Sequence, residues 1–349
     1  MLKEMAEIIE RLKSNQAKRS EAIQEILKAP IESNQFLEGF FFKYVNAVDL
    51  NHSVAGVDSS IIGQEFMSAD LLMVKSVSTI ITYKSGTKQK SIYYPSVAPE
   101  PLFVISEGLD AHEVIWHKNL VRLTQEYSIA CELATKKLAD VILLDGSIIP
   151  LVLDRPAEDS QLYEKYLELI RLVVNFFKVS EQNNVLVAGL SKDSRSKRVV
   201  EIFKDMYQNK ASIFTNDVSL LYEILPAGSR TTLFSYESQE ATKKSRNLVI
   251  KDLEKAGFAG VISAYYQRIS KYDKPIRVEV ISSNKSAGID AIAGIIHSLC
   301  SISKRYTYPA VLIDADLRAK VEARDLDRMI RVLSVELLQG MRRQNRPFR

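Results

Sequence analysis

Residues 52–60 read His-Ser-Val-Ala-Gly-Val-Asp-Ser-Ser, and residues 141–147 read Val-Ile-Leu-Leu-Asp-Gly-Ser. Each is a short strand-like run that closes on an aspartate, Asp58 or Asp145, followed by small residues. An α/β fold places an acid at the mouth of a sheet in this way. The serines and Gly146 behind the two acids leave room for a ligand, because glycine permits positive φ and close backbone approach. Either aspartate alone also fits a turn residue that bonds its own backbone. Two of them facing one crevice suit divalent cations, and metal-assisted phosphodiester chemistry is the leading reading.

The chain between and around these runs sets the fold class. Residues 110–139 predict a helix with Leu123, Tyr127, Ala130, Cys131, Ala134 and Leu138 on one apolar stripe, delivering the chain directly to strand Val141–Leu144. A second helix over 159–180 leads into the continuous apolar strand Val185–Leu190. Strand–helix–strand order with uninterrupted apolar strands predicts a partly parallel sheet flanked by helices. Upstream, Leu71–Tyr83 is a β-branched strand, 84–89 a turn and Ser91–Tyr94 its hairpin return; Pro95, Pro99 and Pro101 then forbid regular structure. Residues 1–28 form an amphipathic helix punctuated by Pro30. Helices are predicted at 195–208, 216–224, 239–256, 286–303 and 315–340, with strands at 258–266 and 276–282. No internal repeat or low-complexity linker divides the chain, so one elaborated α/β domain is expected, with helical elaborations at both ends.

Composition narrows the partners. The 349 residues carry 47 Lys+Arg against 43 Asp+Glu, a net charge of +4. That excess is too mild to declare a nucleic-acid binder, so a DNA partner has to meet a local basic surface. Cys131 and Cys300 are the two cysteines, and no CxxC occurs, which argues against a zinc ribbon and a disulfide scaffold. Sparse thiols, acids within the N-terminal apolar pattern and no apolar run of the roughly 18–20 residues a span needs predict a cytoplasmic protein without a membrane segment. GxxxxGK[ST], GxSxG and HExxH are absent, so intrinsic P-loop ATP hydrolysis, a nucleophile elbow and a zinc hydrolase are disfavoured.

Further candidates extend the acid set. Glu126, four residues after Arg122, falls along the edge of the apolar stripe on the helix that feeds the Asp145 strand; the bland alternative is a solvated Glu–Arg pair. Asp314 and Asp316 follow Tyr308-Pro309 at a helix start, and only one need point inward; either also serves as an ordinary N-terminal helix acid. Lys192 follows VLVAGL and can hold a phosphate as a point charge, or sit in a surface loop. Arg195, Lys197, Arg198, the Gly228-Ser229-Arg230 turn, Lys243, Lys244, Arg246 and the four arginines of 341–349 can together line a backbone-tracking groove, although each is ordinarily solvated surface. Tyr265 and Tyr266 stack on bases or fill the core, with core the favoured reading.

The ordered set VAGVDSS, a glutamate 19 residues before the aspartate of LLDGS, GLSKDS, FTNDVSLL, AGSR, RVEV and YP-x-x-L-x-x-A-D resembles the NurA nucleases of archaea and some bacteria, over residues 53–325. The resemblance implies an RNase H-like core and a nuclease domain at 53–325, between an N-terminal helical region at 1–52 and a C-terminal helix and basic tail at 326–349. It implies Mn²⁺-dependent 5′→3′ exonuclease activity and single-strand endonuclease activity, with Mg²⁺ as the alternative cation and two ions per site. It further implies a homodimer working with a hexameric HerA-type translocase in DNA end resection beside Mre11 and Rad50, which would place the motor on another chain. Matched position by position, the family's metal-binding acids fall on Asp58, Glu126, Asp145 and Asp316, and its lysine on Lys192. Arg195, Arg198, Arg230 and Tyr265 are the candidate DNA contacts. Two positions depart from the pattern: D-S-S stands where D-G-S is common, and Asp316 where some members carry histidine. The rival readings are a non-catalytic DNA-guiding platform for a ring motor and an RNase H-like small-molecule kinase; the kinase requires glycine-rich phosphate loops, which the sequence lacks.

Overall fold

The computed structural model describes residues 2–28, 33–66, 68–207, 214–236, 247–281 and 286–336. In chain order the elements are α1 (Leu2–Lys28), β1 (Phe42–Tyr44), β2 (Ser53–Glu65), β3 (Ala69–Lys84), β4 (Thr87–Tyr94), β5 (Leu102–Glu107), α2 (Ala111–Thr135), β6 (Val141–Asp145), α3 (Tyr163–Gln182) and β7 (Leu186–Ser191). There follow α4 (Arg198–Met206), α5 (Asp217–Ile224), β8 (Ser229–Thr231), β9 (Phe234–Ser235), α6 (Leu248–Lys255), β10 (Ile262–Arg268), β11 (Ile276–Ile281), α7 (Ser286–Cys300), α8 (Ala310–Ala319) and α9 (Ala323–Glu336). They gather into two units of interleaved segments. The first comprises Met1–Val48, Leu190–Thr242 and Gly260–Thr307; the second comprises Asp49–Gly189, Lys243–Ala259 and Tyr308–Arg349.

Both aspartate strands lie in the second unit. Its strands run in the order β4-β3-β2-β6-β7, with β5 on β3. β2 and β3 are antiparallel from Ser53↔Thr82 to Glu65↔Asp70. β4 pairs with the far half of β3 and β5 with its near half, both antiparallel. β6 runs parallel to β2, from Val54↔Val141 to Val57↔Leu144. Three antiparallel strands, then a parallel fourth beside the first and a fifth beyond it, make the RNase H-like mixed sheet flanked by helices.

Local chemistry explains the helices on this sheet. Asp110 starts α2 with a capping box: its Oδ1 accepts from the backbone N–H groups of His112 and Glu113, and Glu113 accepts from the Asp110 N–H. Leu120, Leu123, Tyr127, Ala130, Leu133 and Ala134 are then buried along the helix. The helix ends at Thr135, where Lys137 takes a left-handed φ of 50°, so Leu138 falls off the predicted stripe and is exposed. α8 packs on β2 at Gly56, where an added Cβ would lie 2.6 Å from the backbone carbonyl carbon and oxygen of Val311. Gly189 serves the loop after β6 in the same way: its Cβ would lie 2.4 Å from the Ile148 nitrogen.

The first unit holds β1, β8, β10 and β11 in that order, all antiparallel where paired, with β9 also on β10. Its apolar core joins Ile26 of α1 to Val200 and Phe203 of α4, Leu220 and Leu221 of α5, and Phe234 and Tyr266.

Several boundaries differ from expectation. β2 runs on through Glu65 rather than stopping at Asp58, because Ile61 and Ile62 continue the pairing with β3. β5 follows the prolines directly. The single helix expected at 315–340 is two, α8 and α9, broken after Ala319. β1, β8 and β9 are strands of two or three residues that no sequence pattern announced. Pro30, Lys243, Lys244, Arg246 and the tail 341–349 lie outside the described residues.

Gly56→Ala is expected to destabilise the protein by about 1–3 kcal/mol, as overpacking does when backbone has to move. Gly39→Ala, with nothing within 4 Å of its Cβ position, is the neutral control. Equal thermal midpoints for the two variants would contradict the close approach of α8 to β2.

Candidate active site

The parallel register of β6 on β2 builds the site. Val57 and Leu144 are the last paired residues, so the next residue on each strand is an aspartate, Asp58 or Asp145. Side chains alternate between the faces of a strand, which places Asp58 on the face of Gly56, where α8 packs, and Ser59 on the other. Ser59 Oγ donates to Glu126 Oε1 of α2 at 2.5 Å, so α2 lies on that second face. Arg122 Nη1 reaches the same Oε1 at 2.5 Å. The Arg122–Glu126 pair is therefore real, yet Glu126 is buried rather than solvated.

Three other carboxylates act on Asp58 through their charge. Asp58 is buried and its pKa is pushed from the ordinary aspartate range up to about 8, first by burial, then by the charges of Asp145 and Glu126, and further by Asp316. The Ser59 N–H, 2.7 Å from Asp58 Oδ1, opposes the shift. Burial also raises Glu126, against the pull of Arg122 and Ser59, and Asp145 adds to the rise. Asp314 is turned elsewhere: its Oδ2 accepts from Thr79 Oγ1 and from Arg318 Nε, each at 3.0 Å. Asp316, two residues on, is the acid whose charge reaches Asp58.

Asp145 is held by a residue that sequence reasoning quoted but did not single out. The Tyr308 hydroxyl donates to Asp145 Oδ1 at 2.8 Å, and the ring is buried immediately before α8. Behind the site, Tyr127 Oη donates to the Ile148 carbonyl at 2.8 Å, pinning the loop after Asp145 onto α2. Gly146 makes that loop possible with a φ of 135°. Ser59 and Tyr308 both had a visible sequence signal, a hydroxyl beside a candidate acid or inside its motif.

The donor set consists of hard carboxylate oxygens, which is the chemistry Mg²⁺ and Mn²⁺ prefer. Among the described residues, no three His, Cys, Asp or Glu side chains are gathered closely enough to enclose an ion as they stand. Each of Asp58, Glu126 and Asp145 accepts hydrogen bonds here: Asp58 from the Ser59 N–H, Glu126 from Ser59 Oγ and Arg122, and Asp145 from Tyr308.

The remaining candidates lie in the first unit. Lys192 follows the end of β7 and is partly buried; Arg195 is exposed. Arg198 Nη2 donates to Gln35 Oε1 at 2.8 Å. Both Arg230 and Tyr265 are wholly buried: Arg230 corrects the DNA-contact reading, while Tyr265 takes the core alternative that the sequence favoured. Arg230 holds Glu38 through both terminal nitrogens at 2.7 Å and Asp290 at 2.8 Å, so its charge is consumed inside the unit and no DNA contact is open to it. The Tyr265 ring, 5.5 Å from that guanidinium, is core.

The sequence matches the model of the NurA domain family over residues 52–321. No curated protein sequence matches the chain. Among solved structures, the NurA nuclease from Sulfolobus solfataricus aligns with a TM-score of 0.64 at 15% identity, covering 97% of this chain and 96% of that one. A NurA structure with manganese aligns at 0.55 and 12% identity, over 93% of this chain and 98% of that one. Another, bound to dAMP and manganese, aligns at 0.53 and 12% identity, over 96% of each chain. No described helix is long and apolar enough to cross a membrane.

The burial of Asp58 among other acids has a stability signature. In cation-free protein the folded state keeps the Asp58 proton up to about pH 8, whereas an unfolded aspartate releases it near 3.9. The folded state therefore binds more protons across that window, and this contribution to stability is full below the lower value and lost as pH rises through the upper one. Thermal midpoints in EDTA should fall between pH 5 and pH 9 by several degrees more for the unsubstituted protein than for Asp58→Asn. Parallel curves would show that the acids do not face one another.

Proposed function

The chain belongs to the NurA family, and we propose that it is a divalent-cation-dependent DNA nuclease whose acids are Asp58, Glu126, Asp145 and Asp316. The observation that supports this reading is a buried Asp58 at the end of its pairing with β6 that feels the charges of three other acids, Asp145 of β6, Glu126 of α2 and Asp316 of α8. Such a group repels itself without a counter-charge and is offset by a bound cation. The relatives solved with manganese, one of them also with dAMP, support manganese as the cation and a deoxynucleotide as the ligand.

Asp58 and Asp145 would be shared by two cations, with Glu126 completing one site and Asp316 the other. Such ions supply an activated water and stabilise the leaving oxygen of a phosphodiester. The protein's own part is positional. Tyr308 fixes the rotamer of Asp145. Ser59 and Arg122 both hold Glu126 through Oε1. Lys192 is assigned the scissile phosphate as a point charge. On family grounds the activity is 5′→3′ exonucleolytic, with single-strand endonuclease activity, and the protein is a cytoplasmic homodimer. It would serve a HerA-type ATP-driven translocase in end resection beside Mre11 and Rad50. The absence of a P-loop motif fits a division of labour in which another chain hydrolyses ATP.

The deciding assay incubates purified protein with 5′-labelled single-stranded DNA, with Mn²⁺ or EDTA and no ATP. Cleavage is expected with Mn²⁺ alone. Asp58→Ala is expected to abolish it while the circular dichroism spectrum is unchanged; full activity in a folded variant overturns the assignment. DNA bound but intact under all conditions would favour the guiding platform.

Tyr308→Phe tests the positioning of Asp145. Removing the hydroxyl is expected to raise the Mn²⁺ concentration for half-maximal cleavage by about 10–100-fold, the usual effect of losing a partner behind a metal ligand. An unchanged Mn²⁺ dependence would make the hydrogen bond incidental.

A further inference from the structure

Three loops of the first unit are tied together at its surface. The loop after β7 is joined to the β10–β11 turn by an ion pair between Lys274 Nζ and Asp193 Oδ1 at 3.0 Å. Its Ser196 hydroxyl also accepts from Arg277 Nη1 of β11 at 2.9 Å. The same turn is joined to the segment after α7 through Asp273 Oδ2, which accepts from the Thr307 N–H at 2.6 Å and from its hydroxyl at 3.0 Å.

These loops concentrate positive charge. Residues 192–197, 270–274 and 301–307 hold seven lysines and arginines against two acids, Asp193 and Asp273, a local excess above the +4 of the whole chain. Both acids are spent inside the cluster, on Lys274 and on Thr307. Arg195, Lys271, Lys304 and Arg305 are exposed.

Two large rings stand among these cations. Tyr272 is 58% exposed and Tyr306 50% exposed, whereas Tyr265 and Tyr266 in the same unit are fully buried. Lys271 Nζ lies 5.0 Å from the centroid of the Tyr272 ring. Aromatic faces beside cations match a polymer that alternates flat bases with phosphates. Stacking needs unpaired bases. A duplex keeps its bases on one another and would engage the cations alone.

We propose that this surface binds single-stranded DNA, with Tyr272 and Tyr306 as stacking platforms for unpaired bases and the surrounding lysines and arginines as phosphate contacts. The choice of DNA over RNA rests on the function proposed above. The exposed rings among cations stand on the surface itself.

The test is fluorescence anisotropy of the full chain in EDTA, so that binding is read without cleavage, using labelled oligo(dT), oligo(rU) and a duplex of equal length. Tyr272→Ala combined with Tyr306→Ala is expected to weaken oligo(dT) binding by roughly tenfold or more and to leave duplex binding unchanged. Lys271→Gln combined with Arg305→Gln should weaken both and flatten the salt dependence. Oligo(dT) binding that is absent in the unsubstituted protein, unaffected by the tyrosine substitutions, or lost in step with duplex binding overturns the proposal. Preference for oligo(rU) over oligo(dT) overturns the DNA assignment. Both rings are exposed, and matching thermal midpoints confirm that the variants fold. A failure of the nuclease reading shows up separately, as intact DNA in Mn²⁺ with binding in EDTA retained.

Discussion

Val57 pairs with Leu144 in a parallel register, and each is followed by an aspartate. That pairing sets two like charges side by side at the end of a short strand. The flanking elements meet the consequence in different ways. Gly56 lets α8 approach β2 closely enough to bring Asp316 to the same place, and Gly189 lets the loop after Asp145 fold back onto β7. Tyr127 and Tyr308 use hydroxyl groups to fix the loop and the carboxylate. None of these contacts relieves the repulsion. They bury Asp58 within reach of the other acids' charges, and burial first and those charges second keep its proton far above the usual range.

Glu126 shows how a bland pairing and a functional one coincide. Spacing of four residues on α2 predicts an Arg122–Glu126 pair, and it forms. An exposed pair of that kind contributes little. Here the carboxylate is buried beside Asp145 and Ser59, so the arginine acts as a local counter-charge for an acid that already faces other acids. The same logic separates Asp314 from Asp316. Two residues along a helix differ by about 200° in direction, so only one can look at Asp58, and Asp314 is occupied by Thr79 and Arg318.

The legible parts of the sequence were those with long-range repetition or a sharp terminus. VILLDGS, the stripe of α2 and the hairpin of β3 and β4 could be read because burial imposes periodicity on them. β2 was read too short because Ser59 and Ser60 resemble a turn; what keeps them in the strand is pairing with Ser76 and Lys75 of β3, which no local pattern encodes. β8 and β9 are too short for any periodicity. Four acids could be nominated from motif context, but their convergence depends on Gly56 and on a register, and neither carries chemistry of its own. Arg230 was misread as surface because an arginine in a glycine turn is ordinarily solvated; Glu38 and Asp290, distant in sequence, bury it.

Buried charges in this protein are handled in two ways, and the contrast separates structure from chemistry. In the first unit Arg230 meets two carboxylates, and Arg277 meets Glu279 at 2.8 Å with Ser196 taking another of its donors. Breaking such a buried pair leaves an uncompensated charge, so these networks are structural commitments. In the second unit, Arg155 and Tyr166 satisfy Asp252 in the same manner. At the end of β6 the charges of several acids bear on Asp58, while Arg122 contacts Glu126. A strand end where the charges of several acids bear on a buried Asp58 holds an electrostatic deficit that a cation can fill.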